Sequence, residues 1–206
     1  VTEEIVLKIA RHVRKVTQKK YLCLAGGVAL NCVSNGKLLR SGIFDDIYIQ
    51  PAAGDAGGAI GSALIAWHQF LGEERKTDGI TDSMNGAYLG PQYSNENIKA
   101  YLDGNGFIYV KLKDQELPEK IADLISEEKV IGWFQGRMEF GPRALGSRTI
   151  IGDARSPKTQ KVINLKIKYR ESFRPFAPSV REEDISEYFD IDRPSPYMLL
   201  VAKVTK

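Results

Sequence analysis

Apolar residues recur at helical spacing from the start of the chain: Ile5, Val6, Ile9, Val13 and Val16. Glu3 and Glu4 occupy the first turn and Lys19 and Lys20 close the stretch, as the helix dipole favours. The pattern predicts a helix. "YLCLAGG" (21–27) then reads as a short buried strand running into a glycine turn, and "VALNCVSNGKLLRSG" (28–42) as a helix closed by Gly42. "DDIYIQP" (45–51) reads as a second strand, ended by Pro51. "AAGDAGGAIGSALIAWHQFLG" (52–72) opens as a glycine-rich turn and continues as a helix from about Gly58 to Phe70. The order α-β-α-β-α predicts an α/β layer.

Residues 72–86, "GEERKTDGITDSMNG", are polar and aperiodic and read as a linker. Beyond them Ser94 is placed to cap a helix through Tyr101, and "GFIYVKL" (106–112) has strand character. "LPEKIADLISEEK" (117–129) predicts a helix, "VIGWFQ" (130–135) a strand and "RTIIGDA" (148–154) another. Ser156 and Pro157 suit N-cap and first-turn positions, so a helix is expected through "SPKTQKVINLKIKYR". Pro175 and Pro178 require "SFRPFAPSV" to be extended. A short helix, "EEDISEYF", and a strand, "YMLLVAKV", follow.

Composition narrows the classes. An apolar fraction of 43% and a charged fraction of 27% over 206 residues suit an ordinary globular core. A net charge of +3 does not by itself call for nucleic acid or a membrane surface. No apolar run has the length of a transmembrane helix, and "VTEEIVLKIARHVRK" lacks a signal-peptide pattern. The two cysteines, Cys23 and Cys32, do not form a disulfide framework, and a reducing cytoplasm is expected.

Three stretches carry candidate chemistry. In "GRMEFGPRALGSR" (136–148), Arg137, Arg143 and Arg148 share a glycine- and proline-rich loop with one carboxylate, Glu139. Guanidiniums repel one another and pair bidentately with phosphate or carboxylate, so the loop reads as a polyanion site. Arg155, Lys158, Lys168, Arg170 and Arg174 add positive charge downstream, and Glu171 is placed to orient Arg170. The alternative is a solvated basic loop paired with its own acidic residues. In "LAGGVALN" (24–31), Gly26 and Gly27 follow a strand and expose backbone amides to an anion, and Asn31 can bond a ribose or base. The alternative is an ordinary strand-to-helix turn. In "PAAGDAGGAIGSALIA" (51–66), Asp55 stands between glycines at a helix mouth, where it can bind a metal, accept from a ribose or cap the helix. A GxSxG elbow, a CxxC pair and a Walker A loop are all missing from the sequence.

Taken in order, "LAGGVALNCVSNGKL", "PAAGDAGGAIGSAL", "AYLGP", "GRMEFGPRALGSR" and "KYRESFRPFAPSV" resemble the NodU-type O-carbamoyltransferases of nodulation-factor and antibiotic biosynthesis, across nearly the whole chain. The resemblance implies an α/β fold with α+β character in the second part. Residues 1–75 would belong to an actin/Hsp70-like carbamoyltransferase domain, 76–90 to a linker and 91–206 to a YrdC-like domain that makes carbamoyl adenylate. It implies ATP and carbamoyl phosphate as substrates and transfer of the carbamoyl group to a hydroxyl of a sugar or other small-molecule acceptor. Gly26, Gly27 and Asn31 fall on the family's nucleotide-contacting turn, and Asp55 on the aspartate that helps hold an iron ion (Fe2+) beside the nucleotide phosphates. Arg137, Arg143 and Arg148 match the catalytic basic loop where carbamoyl phosphate and ATP phosphates bind. Lys168, Arg170 and Arg174 match the basic segment after it.

Two departures qualify that expectation. The family's iron site also uses a helical histidine pair that this chain lacks, and the family's second domain continues past "YMLLVAKV". The chain therefore reads as an internal stretch spanning a domain junction, incomplete in its metal site and not expected to be active alone. Competing readings are a nucleic-acid-binding YrdC-like module, with Phe140, Tyr169 and Phe173 as candidate base stackers, and a component of tRNA threonylcarbamoylation. Core packing suits these aromatics at least as well, so nucleic acid is not the expected partner; the fused order of the two half-domains and the "GPRALGSR" loop argue against the tRNA pathway, no membrane partner is expected, and a homo-oligomer is left open.

Overall fold

The computed structural model describes residues 1–205. In chain order the elements are α1 (Thr2–Thr17), β1 (Tyr21–Leu24), a 3-10 turn (Gly27–Leu30), α2 (Cys32–Arg40), β2 (Asp46–Ile49) and α3 (Asp55–Ile65), which widens into a π-helical turn (Ala66–Phe70). Then come α4 (Asn95–Gly104), α5 (Leu117–Ser126), β3 (Ile131–Phe134), β4 (Arg148–Ile151) and α6 (Thr159–Val162), which widens into a second π-helical turn (Ile163–Ile167). A 3-10 turn (Glu182–Asp184), α7 (Ile185–Tyr188), β5 (Phe189–Asp190) and β6 (Lys203–Val204) follow.

These elements gather into two compact units. The first comprises Val1–Leu89, Glu139–Leu145 and Val180–Lys206, and the second Gly90–Met138 and Gly146–Ser179. Two short chain segments that are remote in sequence are thus built into the first unit.

In the first unit β1 and β2 pair in parallel, with Leu22 opposite Ile47 and Leu24 opposite Ile49. These four side chains point to one face, where Leu22, Leu24 and Ile47 pack against buried Ala10 of α1, Leu38 of α2 and Phe44. The strands alternate in burial, and Cys23 and Tyr48 lie on the exposed face. The expectation of a fully buried β1 is therefore corrected: helices cover one side of the pair only, so every second residue meets solvent.

Residues 198–202 do not form the predicted strand, which shrinks to Lys203–Val204 pairing with β5. Their carbonyls are claimed by side chains of α2 instead. The buried Asn35 amide donates to Leu199 O at 3.1 Å and to Ala29 O at 2.8 Å, and Arg40 Nη1 donates to Val201 O at 2.8 Å. A second cluster of Ala29, Ile49, Ala53 and Leu199 seals this contact.

In the second unit β3 and β4 pair antiparallel, with Phe134 opposite Arg148. Ser94 caps α4 as expected, forming a capping box with Asn97. Pro118 lies in the first turn of α5. Residues 107–112 are not the predicted strand. No other segment among the described residues offers them a ladder, and Ile108 and Val110 stand exposed. The helix expected from Ser156 starts at Thr159, since Ser156 donates its hydroxyl to Glu128 and accepts from the Lys158 amide. No helix among the described residues is long and apolar enough to cross a membrane.

Two outcomes test this account. Replacing Asn35 with Ala leaves two buried carbonyls without their donor and is expected to cost about 1–3 kcal/mol in urea unfolding. In the 72–86 segment, the Asp78 carboxylate accepts from the Thr81 hydroxyl and from the amides of Thr81 and Ile80, which lower its pKa from 3.8 to about 2. Because the folded value is depressed, the turn's contribution is complete above pH 3.8 and is lost as pH falls through about 2. Carboxyl NMR titration should place the Asp78 midpoint near 2, and Thr81→Ala should raise it toward 3.8.

Candidate functional site

The loops that leave the carboxyl ends of β1 and β2 enclose an open cleft of about 340 Å³ in the first unit. Its lining includes Gly26, Gly27, Gln50, Asp55, Gly57 and Gly58. In α/β sheets ligands bind in such crevices outside the carboxyl ends of parallel strands. A backbone bond ties the two loops together: Gly26 N donates to Ala53 O at 2.7 Å. The Gly57 amide turns back to Ala52 O at 2.8 Å, and a Cβ on Gly57 would lie 2.2 Å from that same oxygen. Only glycine fits there. Gly58, by contrast, faces open space.

Sequence reasoning named Gly26, Gly27 and Asp55, and all three line the cleft. It missed Gln50, the residue after β2. Gln50 Oε1 accepts from Ala52 N at 3.0 Å, which fixes the side chain at the cleft wall. A Gln before a Pro reads in sequence as strand-end punctuation, so nothing marked it. Asn31 is not among the lining residues. Its Oδ1 accepts from Ser34 N at 3.1 Å and caps α2, the use its position between two helical turns dictates.

Asp55 is the first residue of α3, exposed, with no side-chain cap on the helix. It is the only carboxylate among the cleft residues. Among the described residues no three His, Cys, Asp or Glu side chains converge as metal ligands. Asp55 is thus the single carboxylate that the cleft lining offers to a metal ion.

The arginine loop is divided between the two units. Its middle, Glu139–Leu145, belongs to the first. There Glu139, 1% exposed, accepts from the Leu145 amide at 2.6 Å through Oε1, closing the segment on itself. Phe140 N donates to Ala87 O at 2.6 Å, and Tyr88 donates its hydroxyl to Leu145 O at 3.1 Å. Gly141, at φ 116°, lies against Ala52, the cleft-loop residue that is fully buried. Arg143 Nη2 donates to Leu30 O at 2.9 Å, at the end of the 3-10 turn that begins with Gly27. Its Nε is buried and has no hydrogen-bond partner among the described residues.

Arg137 and Arg148 belong to the second unit. Arg137 follows β3 and donates to Gly90 O at 2.8 Å from an exposed position. Arg148 opens β4, half-buried, opposite Phe134. In the same unit Lys168 closes the second π-helical turn and is exposed. Arg174 pairs with Glu171 at 2.8 Å. Arg170 instead donates Nε to Asn164 Oδ1 at 2.7 Å and lies 5.0 Å from the centre of the Phe176 ring. Orientation of Arg170 by Glu171 is thus corrected: the carboxylate takes Arg174, three residues on, and a buried amide takes Arg170. The Glu171 carboxyl is held below its ordinary value by its own backbone amide and by Arg174.

A second cleft in the first unit, of about 260 Å³, is lined by Tyr48, Arg75, Ile80, Thr81, Asp82 and Ser83 among others. At its margin Tyr197 donates its hydroxyl to Asp82 and accepts from Gly86 N at 3.2 Å. Burial, and then the Asp82 carboxylate, push the Tyr197 hydroxyl well above its ordinary value.

Residues 1–64 match the family model described as Carbamoyltransferase N-terminus, and residues 122–206 the one described as Carbamoyltransferase C-terminus. The chain is 58% identical to an uncharacterised protein of Synechocystis sp., over 99% of this chain and 33% of that one. It is 46% identical to nodulation protein NolO of Bradyrhizobium diazoefficiens, over 98% of this chain and 37% of the other. It is 30% identical to the 3'-hydroxymethylcephem-O-carbamoyltransferase of Streptomyces clavuligerus, over 98% of this chain and 35% of that enzyme. The chain spans about a third of the length of these curated relatives.

The cleft geometry yields one contrast. Gly57→Ala forces a backbone oxygen aside and should lower stability by about 1–3 kcal/mol. Gly58→Ala, the next residue and three positions after the helix start at Asp55, should be neutral or slightly stabilising. Thermal unfolding of the two variants checks the difference.

Proposed function

This chain belongs to the carbamoyltransferase family, matching both its N-terminal and its C-terminal part, and we propose that it carries the donor-binding elements of a NodU-type O-carbamoyltransferase. In this reading the first unit supplies part of an actin/Hsp70-like nucleotide site and the second supplies part of a YrdC-like, adenylate-forming domain. ATP and carbamoyl phosphate are the substrates, carbamoyl adenylate is the intermediate, and a hydroxyl of a sugar or another small molecule is the acceptor. The observation that carries it is the glycine-lined cleft at the carboxyl ends of two parallel strands, inside the stretch that matches the N-terminal family model.

The physical logic is electrostatic. A carbamate carbonyl is a poor electrophile until a phosphate or adenylate leaving group activates it. Backbone amides at the glycine turn can lie close to phosphate oxygens, because no side chain intervenes. Arginine guanidiniums offset charge as the phosphate departs. Arg143 has its Nη2 anchored to a backbone carbonyl, and Arg170 its Nε to a buried amide, so each is held in place before a ligand arrives. Gln50, fixed at one edge through Ala52 N, offers its amide nitrogen to a ribose or base. The named relatives, a nodulation protein and a cephem O-carbamoyltransferase, support a hydroxyl acceptor.

Calorimetric titration separates this reading from the nucleic-acid one. ATP should bind saturably, and Gln50→Ala should weaken it by about tenfold. Tight, steeply salt-dependent binding of a short single-stranded RNA with no ATP binding would overturn the proposal.

A further inference from the structure

Asn164 is the residue around which the second unit's basic segment is built. It is fully buried, 0% exposed, in an element whose neighbours are mostly exposed. Its side-chain amide is fully used. Nδ2 donates to Ser172 O at 3.2 Å and to Arg174 O at 2.8 Å, and Oδ1 accepts from Arg170 Nε at 2.7 Å. Its backbone carbonyl accepts from Arg170 N at 3.0 Å. Three carbonyl-to-amide links and one guanidinium link thus converge on one side chain and its own peptide.

Two backbone features make this convergence geometrically attainable. The helix widens into a π-helical turn at Ile163–Ile167, closed by Lys168 N to Ile163 O at 2.9 Å, which displaces the turn carrying Asn164 from the α-helical register. Tyr169 then takes φ 49°, a conformation rare for an aromatic residue, and reverses the chain so that Arg170 faces back on Asn164. The tyrosine ring is 86% exposed, so packing does not repay the strained backbone; the return of the chain to Asn164 does.

The consequence falls on Arg170. Its Nε is held by Asn164 and its Cζ lies over the Phe176 ring, 5.0 Å from the ring centre. Both Nη groups are left without a hydrogen bond to the described residues. A guanidinium gripped at Nε and set over an aromatic ring holds its Nη groups in a restricted orientation, and these are the groups that fork onto two oxygens of a phosphate or carboxylate. Arg174, two carbonyl bonds away, has its charge already matched by Glu171.

We propose that Asn164 is a positioning residue that presets Arg170 to receive a phosphate-bearing anion, carbamoyl phosphate or a nucleotide phosphate. The inference rests on the donor-binding reading above. Asn164 does not touch the anion. It acts by removing the rotational freedom that Arg170 would otherwise lose on binding.

The test is a double-mutant cycle on the full chain, with carbamoyl phosphate and inorganic phosphate as calorimetric probes. Asn164→Ser should weaken carbamoyl phosphate binding by about tenfold or more. Arg170→Gln should weaken it at least as much, and adding Asn164→Ser to Arg170→Gln should cost nothing further in affinity. Additive losses would mean that Asn164 serves folding alone, which overturns the inference and leaves the donor-binding reading standing. Unchanged binding in Arg170→Gln would remove Arg170 as a ligand and the inference with it. No binding of either probe by the unaltered chain would overturn both. Should Asn164→Ser fail to fold, the unaltered chain decides: NMR should show the Arg170 Nε–H as a resolved, slowly exchanging signal. Exchange as fast as that of an exposed arginine would refute the preset geometry.

Discussion

The backbone bond from Gly26 N to Ala53 O, 2.7 Å long, fixes the first unit's working end. It joins the loops that leave two parallel strands, and everything at that edge is referred to it. Ala53 is buried within the cluster that includes Ile49 and Leu199. Its neighbour Ala52 receives the Gly57 amide on its carbonyl and Gly141 against its methyl group. The loop spacing that opens the cleft is therefore set by main-chain contacts, and small residues are required on both sides. A side chain at Gly57 would collide with the Ala52 carbonyl of its own loop before any ligand chemistry was affected.

Much of this was legible in the sequence, for reasons that can be named. α1 has a continuous apolar stripe and α4 has a capping box at Ser94, both local signals that tertiary contacts reinforce. The glycines after β1 and β2 marked the cleft, and two of them are required there: Gly26 holds φ 91° and Gly57 has no room for a Cβ. The failures share a cause. Residues 198–202 have strand composition, yet their carbonyls go to Asn35 and Arg40, more than 150 positions earlier. Residues 107–112 have strand composition but no neighbour among the described residues to pair with. Strand character needs a partner, and no local pattern states whether one exists.

Polar side chains at buried positions were the least legible. Asn35 and Asn164 read as ordinary helix residues, and both are sealed in the interior with each side-chain nitrogen donating to two main-chain carbonyls. Each replaces a ladder that the sequence does not supply. Asn35 fastens an irregular segment to α2, and Asn164 gathers a proline-rich one around a guanidinium. The arginines were easier to find than to assign, since charge is visible in sequence whereas the side chain that holds it is not. Glu171, adjacent to Arg170, seemed the natural holder and binds Arg174 instead.

The composition of the first unit has a consequence for biosynthesis. Leu199 and Val201 complete hydrogen bonds begun by Asn35 and Arg40, and Glu139–Leu145 arrives between them in chain order. Translation runs from amino to carboxyl end, so α1, α2 and the β1–β2 pair are made while the Asn35 amide still lacks its Leu199 acceptor. Native closure of that unit waits on translation of residue 201, whereas the second unit has its last residue by Ser179. The first unit, begun earlier in this sequence, is thus completed later than the second.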